Sequence, residues 1–233
     1  MSEYRYTELV TGGANNRNHI VQMPTDGPWD YYGRPAPRDA YCSAYHHGPE
    51  LAAYVQRTGS VRGYPGACCS PWLWFDFDDT LTNGEAAHRE LKAFVEATCT
   101  RQGVMAHIDD FRFWFSGNKG FHCFLYGSGI ESVPASTQFP DDMKKFCINM
   151  AGKYSTLDRS VYDSTRIFRI PNTKHGKSGL HKIPLLAAEL WALSLADIRT
   201  LAKKQRNIED ARKSIISEMK EHGSYGLPRI TER

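Results

Sequence analysis

The sequence predicts an α/β protein in which a sheet is covered by helices. Residues 71–79 form a short apolar run that ends abruptly in acidic residues, which is typical of a strand buried in a sheet. In residues 83–101 a set of inward positions recurs at helical spacing and predicts a helix that covers this sheet: Ala87, Leu91, Phe94, Val95 and Thr98. Residues 111–115 and 121–126 have strand patterns, and the tight glycine-containing turn between them predicts that they are neighbours.

The length and composition are those of a globular protein. The chain has 233 residues, of which 41% are hydrophobic and 24% charged, so it can bury a core as one large domain or as a domain with an appendage. No apolar run approaches the roughly 18 residues of a membrane span. The polar residues 11–18 do not resemble a signal peptide. We therefore expect an intracellular protein of the cytoplasm, or of a host cytoplasm if its origin is viral or plasmid, with no membrane partner.

The positive charge is concentrated in one segment. The net charge of the whole chain is only +3, but the stretch from Lys144 to Lys182 contains nine Lys or Arg residues and two acids. Such an asymmetry points to a polyanionic partner, either nucleic acid or nucleotide phosphates. The alternative is a solvated basic face.

The six cysteines are scattered and form no C-x-x-C motif. Several lie in apolar patterns, which predicts buried free thiols in a reducing compartment rather than a disulfide framework. The residues that could supply nitrogen or sulfur ligands to zinc are Cys42, His46, His47, Cys68 and Cys69. Their spacing matches no common structural site, so a structural zinc is not expected.

The remaining segments predict short strands near the N-terminus and helices further along. Residues 1–50 are rich in turn formers, and residues 50–57 have the pattern of a brief helix. Residues 141–151 predict a longer helix and residues 166–170 a further strand. The side chains that the helical spacing directs inward from 141–151 are Met143, Phe146, Cys147 and Met150.

A capping box predicts the start of the last helix. Ser194 and Asp197 have the spacing of that motif, and an apolar pattern continues from them to Gly223. Its apolar positions are Ile198, Leu201, Ile208, Ile215, Ile216 and Met219. We expect this tail either to pack on the core or to lead toward a further domain.

Asp76 and Asp78 are the first candidate site residues. Alternate side chains of a strand share one face, so these two carboxylates leave the sheet together while Phe77 returns to the core. Carboxylates held this close repel each other and are usually compensated by a hard divalent cation with oxygen ligands. The alternative is an ordinary strand end that runs into an acidic turn.

The second candidate is the turn Ser116-Gly-Asn-Lys-Gly-Phe-His122. Glycine lets the backbone approach an anion closely, and the turn amides and the Ser116 hydroxyl can donate hydrogen bonds to phosphate oxygens. Lys119 and His122 can add positive charge. The alternative is a purely structural hairpin.

The third candidate is a carboxylate followed by a basic, glycine-containing loop. Asp158 and Asp163 are the acids available, and their residue types alone do not decide between them. A third acid would complete a two-metal site, in which the ions align an attacking hydroxyl and neutralise the leaving pyrophosphate. The residues of the loop that would hold a triphosphate are Arg169, Lys174, His175 and Lys177.

Together these stretches resemble the catalytic core of the archaeo-eukaryotic primase superfamily, the primase-polymerases. That family has an acidic pair on a strand, an S-G-x-x-G-x-H turn, and a third acid followed by a basic loop. Phe75-Asp76-Phe77-Asp78 resembles the first, SGNKGFH matches the second in full, and Asp158 in LDRSVY resembles the third. The run RIPNTKHGKSG is similar to the family's segment in which a basic residue and a later histidine contact nucleotide phosphates. The likeness covers about residues 70–187.

The resemblance implies a two-lobed fold with a mixed or antiparallel, RRM-like catalytic sheet flanked by helices. The catalytic domain would span residues 1–190, with an N-terminal lobe over about 1–65 and the motif-bearing core over about 66–190. Residues 191–233 would form the helical tail. The zinc-binding insertion of many relatives has no clear counterpart in this chain.

The resemblance also implies roles for individual residues. Asp76, Asp78 and Asp158 would be catalytic and would bind two Mg²⁺ or Mn²⁺ ions, with Asp163 as the alternative third ligand. The expected triphosphate ligands are Ser116, His122, Arg169 and His175. Because of their positive charge, Lys119 and Lys177 are further candidates for binding the nucleotide. For the same reason Lys174 and Arg166 are candidates for contacting nucleic acid. Independently of the resemblance, Trp29, Tyr31 and Tyr32 are aromatic residues that could stack on single-stranded bases, with core packing as the alternative.

The expected activity is template-directed nucleotidyl transfer, as a DNA primase, a strand-extending polymerase or both, in DNA replication. The expected partners are single-stranded DNA and NTP or dNTP. A helicase or another replication protein is a further partner that the resemblance allows.

Two other functions fit parts of the sequence. Asp76-Phe-Asp-Asp-Thr-Leu-Thr82 also resembles the first motif of haloacid dehalogenase-type phosphatases, where the first Asp is a phosphorylated nucleophile and the second an acid/base. That family needs an acidic pair after a later strand, for which only Asp158 and Asp163 are available. It would leave SGNKGFH and RIPNTKHGKSG unexplained. The other alternative is a catalytically silent nucleic-acid-binding module on a primase scaffold.

Overall fold

The computed structural model of the protein describes residues 4–23, 39–100, 106–127, 129–207 and 209. The strands are β1 (Tyr6–Val10), β2 (Ile20–Gln22), β3 (Tyr41–Ser43), β4 (His46–His47), β5 (Cys68–Cys69), β6 (Leu73–Asp78), β7 (Phe111–Phe115), β8 (Gly120–Leu125), β9 (Ile167–Arg169) and β10 (Ile183–Leu185). The helices are α1 (Glu50–Thr58), α2 (Glu85–Thr100), α3 (Phe139–Ala151), α4 (Ala187–Ala192) and α5 (Leu195–Leu201). Short 3₁₀ helices occupy Ile108–Asp110, Ile130–Ser132 and Arg159–Tyr162.

The strands form two sheets whose described pairings are antiparallel. The first sheet has the order β5-β4-β1-β3-β9, with β2 also paired to β1, and the second has the order β10-β7-β8-β6. Helix α2 contacts β6 and β8, α3 contacts β5 and β6, and α4 contacts β7. The predicted α/β class, with an antiparallel sheet flanked by helices, is confirmed.

The first sheet joins the N-terminal strands to segments from the middle of the chain. Strands β5 and β9 complete it, so residue 65 does not separate the two sheets. One hydrophobic core also connects them: the Tyr45 ring packs on Trp74 of β6 with centroids 5.0 Å apart, and its hydroxyl donates to the Tyr162 carbonyl at 3.0 Å. The domain boundaries stay a prediction.

Strand β6 and helix α2 form the centre of that core. Phe75 and Phe77 of β6 are fully buried and contact the Phe94 ring of α2, with centroids 4.5 and 5.6 Å apart. Burying one such side chain contributes about 1.5–3 kcal/mol. The predicted inward positions of α2 are confirmed as buried: Ala87, Leu91, Phe94, Val95 and Thr98. Asp76 and Asp78 therefore project from a strand whose position is fixed by the core.

Helix α3 corrects one predicted core position. Phe146 was expected to face inward, but its side chain is 52% exposed. Phe139, Met143 and Cys147 are buried at four-residue spacing, so the buried stripe passes beside Phe146 rather than through it. Met150 is only partly buried at the edge of the core.

The C-terminal helix begins as predicted and ends early. The Ser194 hydroxyl accepts the Asp197 amide, and the Asp197 carboxylate accepts the Ser194 amide at 3.1 Å. Helix α5 ends at Leu201, and residues 202–207 are not helical, so the pattern from Ser194 to Gly223 is not one continuous helix. The later apolar positions of that prediction lie outside the described residues.

The six cysteines are free thiols, and five of them are buried. In the first sheet His46 lies opposite Cys69 and His47 opposite Cys68. Burial lowers the pKa of each histidine to about 4.

In the part of the chain that the structure describes, no helix has both the length and the apolar character needed to cross a membrane.

Candidate active site

The acidic end of β6 is fixed by two neighbouring segments. On one side β8 pairs with it in a register that places Asp76 opposite His122 and Asp78 opposite Gly120. On the other side residues 156–158 run along β6: the Asp158 amide donates to the Asp76 carbonyl at 2.8 Å, and the Asp78 amide to the Thr156 carbonyl at 2.7 Å. This pairing brings Asp158, which is distant in sequence, beside Asp76.

Helix α2 holds the 156–158 segment in place. One carboxylate oxygen of Glu90 accepts hydrogen bonds from the Thr156 amide and hydroxyl, both at 2.8 Å, and the other accepts the Ser155 hydroxyl at 2.8 Å. The Asp158 carboxylate accepts the Ser160 amide at 2.8 Å and so caps the short 3₁₀ helix that follows.

The electrostatics of Asp76 mark the centre of the site. Burial raises the pKa of Asp76 to about 7, and the negative charges of Asp78 and Asp158 act in the same direction, while Lys182 and Arg166 oppose them. The side chain is 17% exposed, and the His122 Nε2 lies 3.8 Å from its Oδ1. Asp76, Asp78 and Asp158 thus form a cluster of like charges, the arrangement that a bound cation would compensate.

The two extra carboxylates have other partners. Asp163 is exposed, forms an ion pair with the Arg166 Nη2 at 2.9 Å, and accepts the Thr165 amide at 3.0 Å. Asp79 is buried, and its carboxylate accepts the Thr82 hydroxyl together with the amides of residues 81, 82, 84 and 86. These bonds, of which the Thr82 hydroxyl contributes most, lower the pKa of Asp79 to about 2. Asp79 therefore stabilises the entry to α2.

The turn between β7 and β8 packs against both the acidic strand and the basic loop. The Ser116 amide donates to the Gly120 carbonyl at 2.9 Å, and the Ser116 hydroxyl accepts the Gly120 amide at 3.2 Å. A Cβ on Gly120 would lie 2.6 Å from the Phe77 carbonyl oxygen and 3.0 Å from the Asp78 Oδ1, so a side chain has no room there. Gly117 has φ +88°, and a Cβ on it would meet the backbone of residues 180–182 at 3.1 Å.

Lys119 and His122 both line the cleft, and each lies near one carboxylate of β6. The Lys119 ammonium pairs with the Asp78 Oδ2 at 3.0 Å and donates to the Thr80 hydroxyl. Burial, with the positive charges of Lys182 and Arg169, holds the pKa of His122 well below its ordinary value. This shift favours the neutral imidazole, whose Nε2 faces Asp76. The role of His122 in phosphate binding stays a prediction. Its buried Nδ1 has no hydrogen-bond partner among the described residues.

Arg169, the last residue of β9, is held with part of its guanidinium open to the cleft. Nη1 donates to the Asp39 Oδ1 at 2.6 Å and to the Lys174 carbonyl at 2.7 Å, and Nη2 donates to the Tyr41 hydroxyl at 2.6 Å. Within the described ranges Nε and one Nη2 proton have no acceptor. This edge is the one that binds carboxylate or phosphate oxygens in a bidentate manner.

The basic loop after β9 places one of its three predicted residues in the cleft. The His175 Nδ1 accepts the Lys177 amide at 3.2 Å, and burial and the charge of Arg169 lower the pKa of His175. Lys174 and Lys177 are exposed beside the cleft. The Ser178 hydroxyl donates to the Gly117 carbonyl, which joins this loop to the turn before β8.

These segments enclose a cleft of about 300 Å³. The residues that line it are Tyr41, Asp76, Asp78, Ser116, Asn118, Lys119, His122, Arg166, Ile167, Phe168, Arg169 and His175. Asp158, whose amide bonds the Asp76 carbonyl, does not belong to this lining. The predicted stacking residues Trp29, Tyr31 and Tyr32 lie outside the described residues.

The sequence prediction missed some residues of the cleft. Tyr41 and Asp39 hold the Arg169 guanidinium, and Lys182 lies beneath it. Neither of the first two carries a motif. The sequence did contain one signal for Lys182, namely a charged residue immediately before the apolar run of β10.

The donor set fits a hard divalent cation by its chemistry. Among the described residues no three His, Cys, Asp or Glu side chains are grouped closely enough to hold a metal ion in this arrangement, and Asp78 is paired with Lys119. By residue type, the carboxylates of Asp76, Asp78 and Asp158 are the oxygen ligands that Mg²⁺ and Mn²⁺ prefer. They would hold such an ion only after their side chains rearrange and Asp78 separates from Lys119.

Comparisons with known proteins leave the family open. No protein-family model matches the chain, and no curated protein matches it by sequence. Its fold is similar to the polymerase domain from Mycobacterium tuberculosis Ligase D in complex with DNA, with a TM-score of 0.48 and 12% sequence identity. The match covers 96% of this chain and 87% of that chain. At this level of similarity, function has to be inferred from the residues of the site.

Proposed function

We propose that the protein is a template-directed nucleotidyltransferase that joins nucleotides from NTP or dNTP on single-stranded DNA, as a primase, a primase-polymerase or both. One observation carries the proposal: three stretches that are distant in the sequence meet at a single cleft. The acidic end of β6 forms one wall, the turn before β8 the next, and Arg169 with His175 the third. A nucleotidyl transfer site needs both parts, an anionic centre for cations and a cationic wall for phosphates.

The proposed reaction is attack of a hydroxyl on the α-phosphate of the incoming nucleotide, with pyrophosphate as the leaving group. The open edge of the Arg169 guanidinium binds phosphate oxygens, and His175, beside it, donates a further hydrogen bond. The neutral His122 imidazole contributes a hydrogen bond rather than charge. Asp76, Asp78 and Asp158 would hold Mg²⁺ or Mn²⁺, which would lower the pKa of the attacking hydroxyl and stabilise the developing charge.

The proposed polyanionic partner is single-stranded DNA. Lys174 and Lys177 are exposed beside the cleft, and Arg166 lines it. Contacts of this kind to phosphates release counterions, so DNA affinity is expected to fall as salt increases. The basic segment between Lys144 and Lys182 supports this partner without specifying a base sequence.

The phosphatase alternative accounts for only one wall of the cleft. It uses Asp76 as a nucleophile and Asp78 as an acid/base, and Ser116 could serve as its second motif, but it gives no role to the rest of the SGNKGFH turn or to Arg169. Nucleotidyl transfer uses every wall, so it is the function that we propose.

Incorporation of labelled nucleotide tests the proposal. Wild-type protein is incubated with labelled dNTP or NTP, unprimed or primed single-stranded DNA, and Mg²⁺ or Mn²⁺. We expect template-dependent product that Asp76→Ala abolishes and that Asp142→Ala, a control at an exposed ion pair of α3, retains. Template-independent hydrolysis of a small phosphomonoester would favour the phosphatase. DNA binding without incorporation under either metal would leave a silent module.

A further inference from the structure

Lys182 is a charged side chain enclosed in the core under the cleft. The residue is 0% exposed and lies between the two sheets. Its Nζ lies 5.5 Å from the centroid of the Trp114 ring, and 5.9 Å from those of Phe124 and Phe168. Because removing an ammonium group from water is costly, a lysine in this position needs compensating contacts.

The polar contacts of Lys182 are with the segment that carries the phosphate-binding wall. Its Nζ donates to the Arg169 carbonyl at 2.7 Å. Its carbonyl accepts the Asn172 amide at 2.6 Å, and its amide donates to the Thr173 carbonyl at 3.0 Å. The main chain of Lys182 thus closes the base of the loop that bears His175, and its side chain reaches back to the residue where β9 ends.

The bond to Arg169 does not depend on one protonation state. Burial lowers the pKa of Lys182 to about 7, while Cys42 and the Asp76 carboxylate favour the charged form. Both an ammonium and a neutral amine carry N–H groups that can donate to the Arg169 carbonyl. The contact therefore persists on either side of neutral pH.

We propose that Lys182 is a positioning residue for nucleotide binding, which fixes the main chain of Arg169 and thereby the direction in which its guanidinium meets a triphosphate. The inference rests on the proposed function, since it assigns Lys182 a role through the phosphate wall of the same cleft. Lys182 itself does not line the cleft and does not touch the substrate.

A double-mutant cycle on dATP affinity tests this role. The equilibrium affinity for dATP with Mg²⁺ and without DNA is measured for the wild type, Lys182→Met, Arg169→Met and the double variant. We expect Lys182→Met to weaken binding on the order of tenfold. In the Arg169→Met background the same change should cost less than about twofold, because the two residues act through one contact.

Leu185→Ala provides the matched control for a structural effect. Leu185 is a buried residue of β10, and its truncation leaves a cavity on the same strand without touching Arg169. It should lower the melting temperature while dATP affinity stays at the wild-type value. If Lys182→Met does not fold, Lys182→Leu, which is also apolar and has no hydrogen-bond donor, takes its place in the same cycle with the same expected losses.

The outcomes separate this inference from the proposed function. Unchanged affinity in the Lys182 variant, or additive losses in the cycle, would overturn the positioning role alone. An affinity loss in Leu185→Ala equal to that in Lys182→Met would also overturn it, because any weakening of β10 would then suffice. A wild-type protein that binds no dATP would remove the proposed function and this inference with it.

Discussion

Replacing Asp76 with Asn should stabilise the metal-free protein, and the gain should grow with pH. The pKa of Asp76 is about 7 in the folded protein against a reference value of 3.8, so the folded state holds this proton to a higher pH than the unfolded chain. Stability is therefore lost as pH rises between these values. At about 1.36 kcal/mol for each pH unit, the raised pKa lowers stability by about 2 kcal/mol at pH 5, where the folded protein still holds the proton, and by about 4 kcal/mol at pH 8, where the carboxylate is ionised.

Urea unfolding with a chelator present measures this effect. Asn keeps the shape of the side chain and removes its charge, so we expect the variant to gain about 2–4 kcal/mol at pH 8 and less than about 2 kcal/mol at pH 5. Asp142→Asn, at an exposed position of α3, should change stability little at either pH. A variant that is less stable than the wild type at pH 8, or a gain that does not depend on pH, would refute the assigned charge cluster.

Three further predictions concern the surroundings of Asp76. Gly120→Ala should lower stability by about 1–3 kcal/mol in urea unfolding, because its Cβ would lie 2.6 Å from the Phe77 carbonyl oxygen; wild-type stability would contradict this packing. Asp79→Ala should lower the free energy of unfolding by about 1–2 kcal/mol, because the hydrogen bonds of its carboxylate are lost. This loss should be present above the reference pKa of 3.8 and should disappear as pH falls toward 2, so an equal loss at all pH values would contradict the assignment. Lys119→Met should tighten Mn²⁺ binding, measured by calorimetry without nucleotide, up to about fivefold because it frees Asp78; weaker binding would show that Lys119 does not compete with the ion.

The parts of the fold and the candidate site that the sequence predicted depend on local patterns. The alternation of Asp76, Phe77 and Asp78 defines which side chains leave the sheet, and two glycines between strand patterns define a tight turn. Each of these two patterns lies within a few consecutive residues, so it can be recognised without knowing the tertiary contacts. For the same reason the buried face of α2 could be read from its helical spacing.

The features that could not be predicted depend on contacts between distant segments. The residues around Asp158 and Asp163 do not indicate which of the two lies near Asp76. Asp158 lies beside Asp76 because residues 156–158 pair with β6. Lys182 looks like a surface residue until the two sheets close over it. The spacing around Phe146 allowed an inward position, but α3 packs through the stripe next to it. Tertiary packing decided each of these cases.

The central claim is that the carboxylates of Asp76, Asp78 and Asp158 act as one site, and a matched pair of variants tests it directly. Nucleotide incorporation on single-stranded DNA with Mg²⁺ or Mn²⁺ is compared for Asp158→Asn and Asp163→Asn, since both keep side-chain shape and a hydrogen-bond acceptor. We predict that Asp158→Asn loses on the order of 100-fold in rate while Asp163→Asn stays close to the wild type. Full activity in Asp158→Asn, or the large loss in Asp163→Asn instead, would contradict the account.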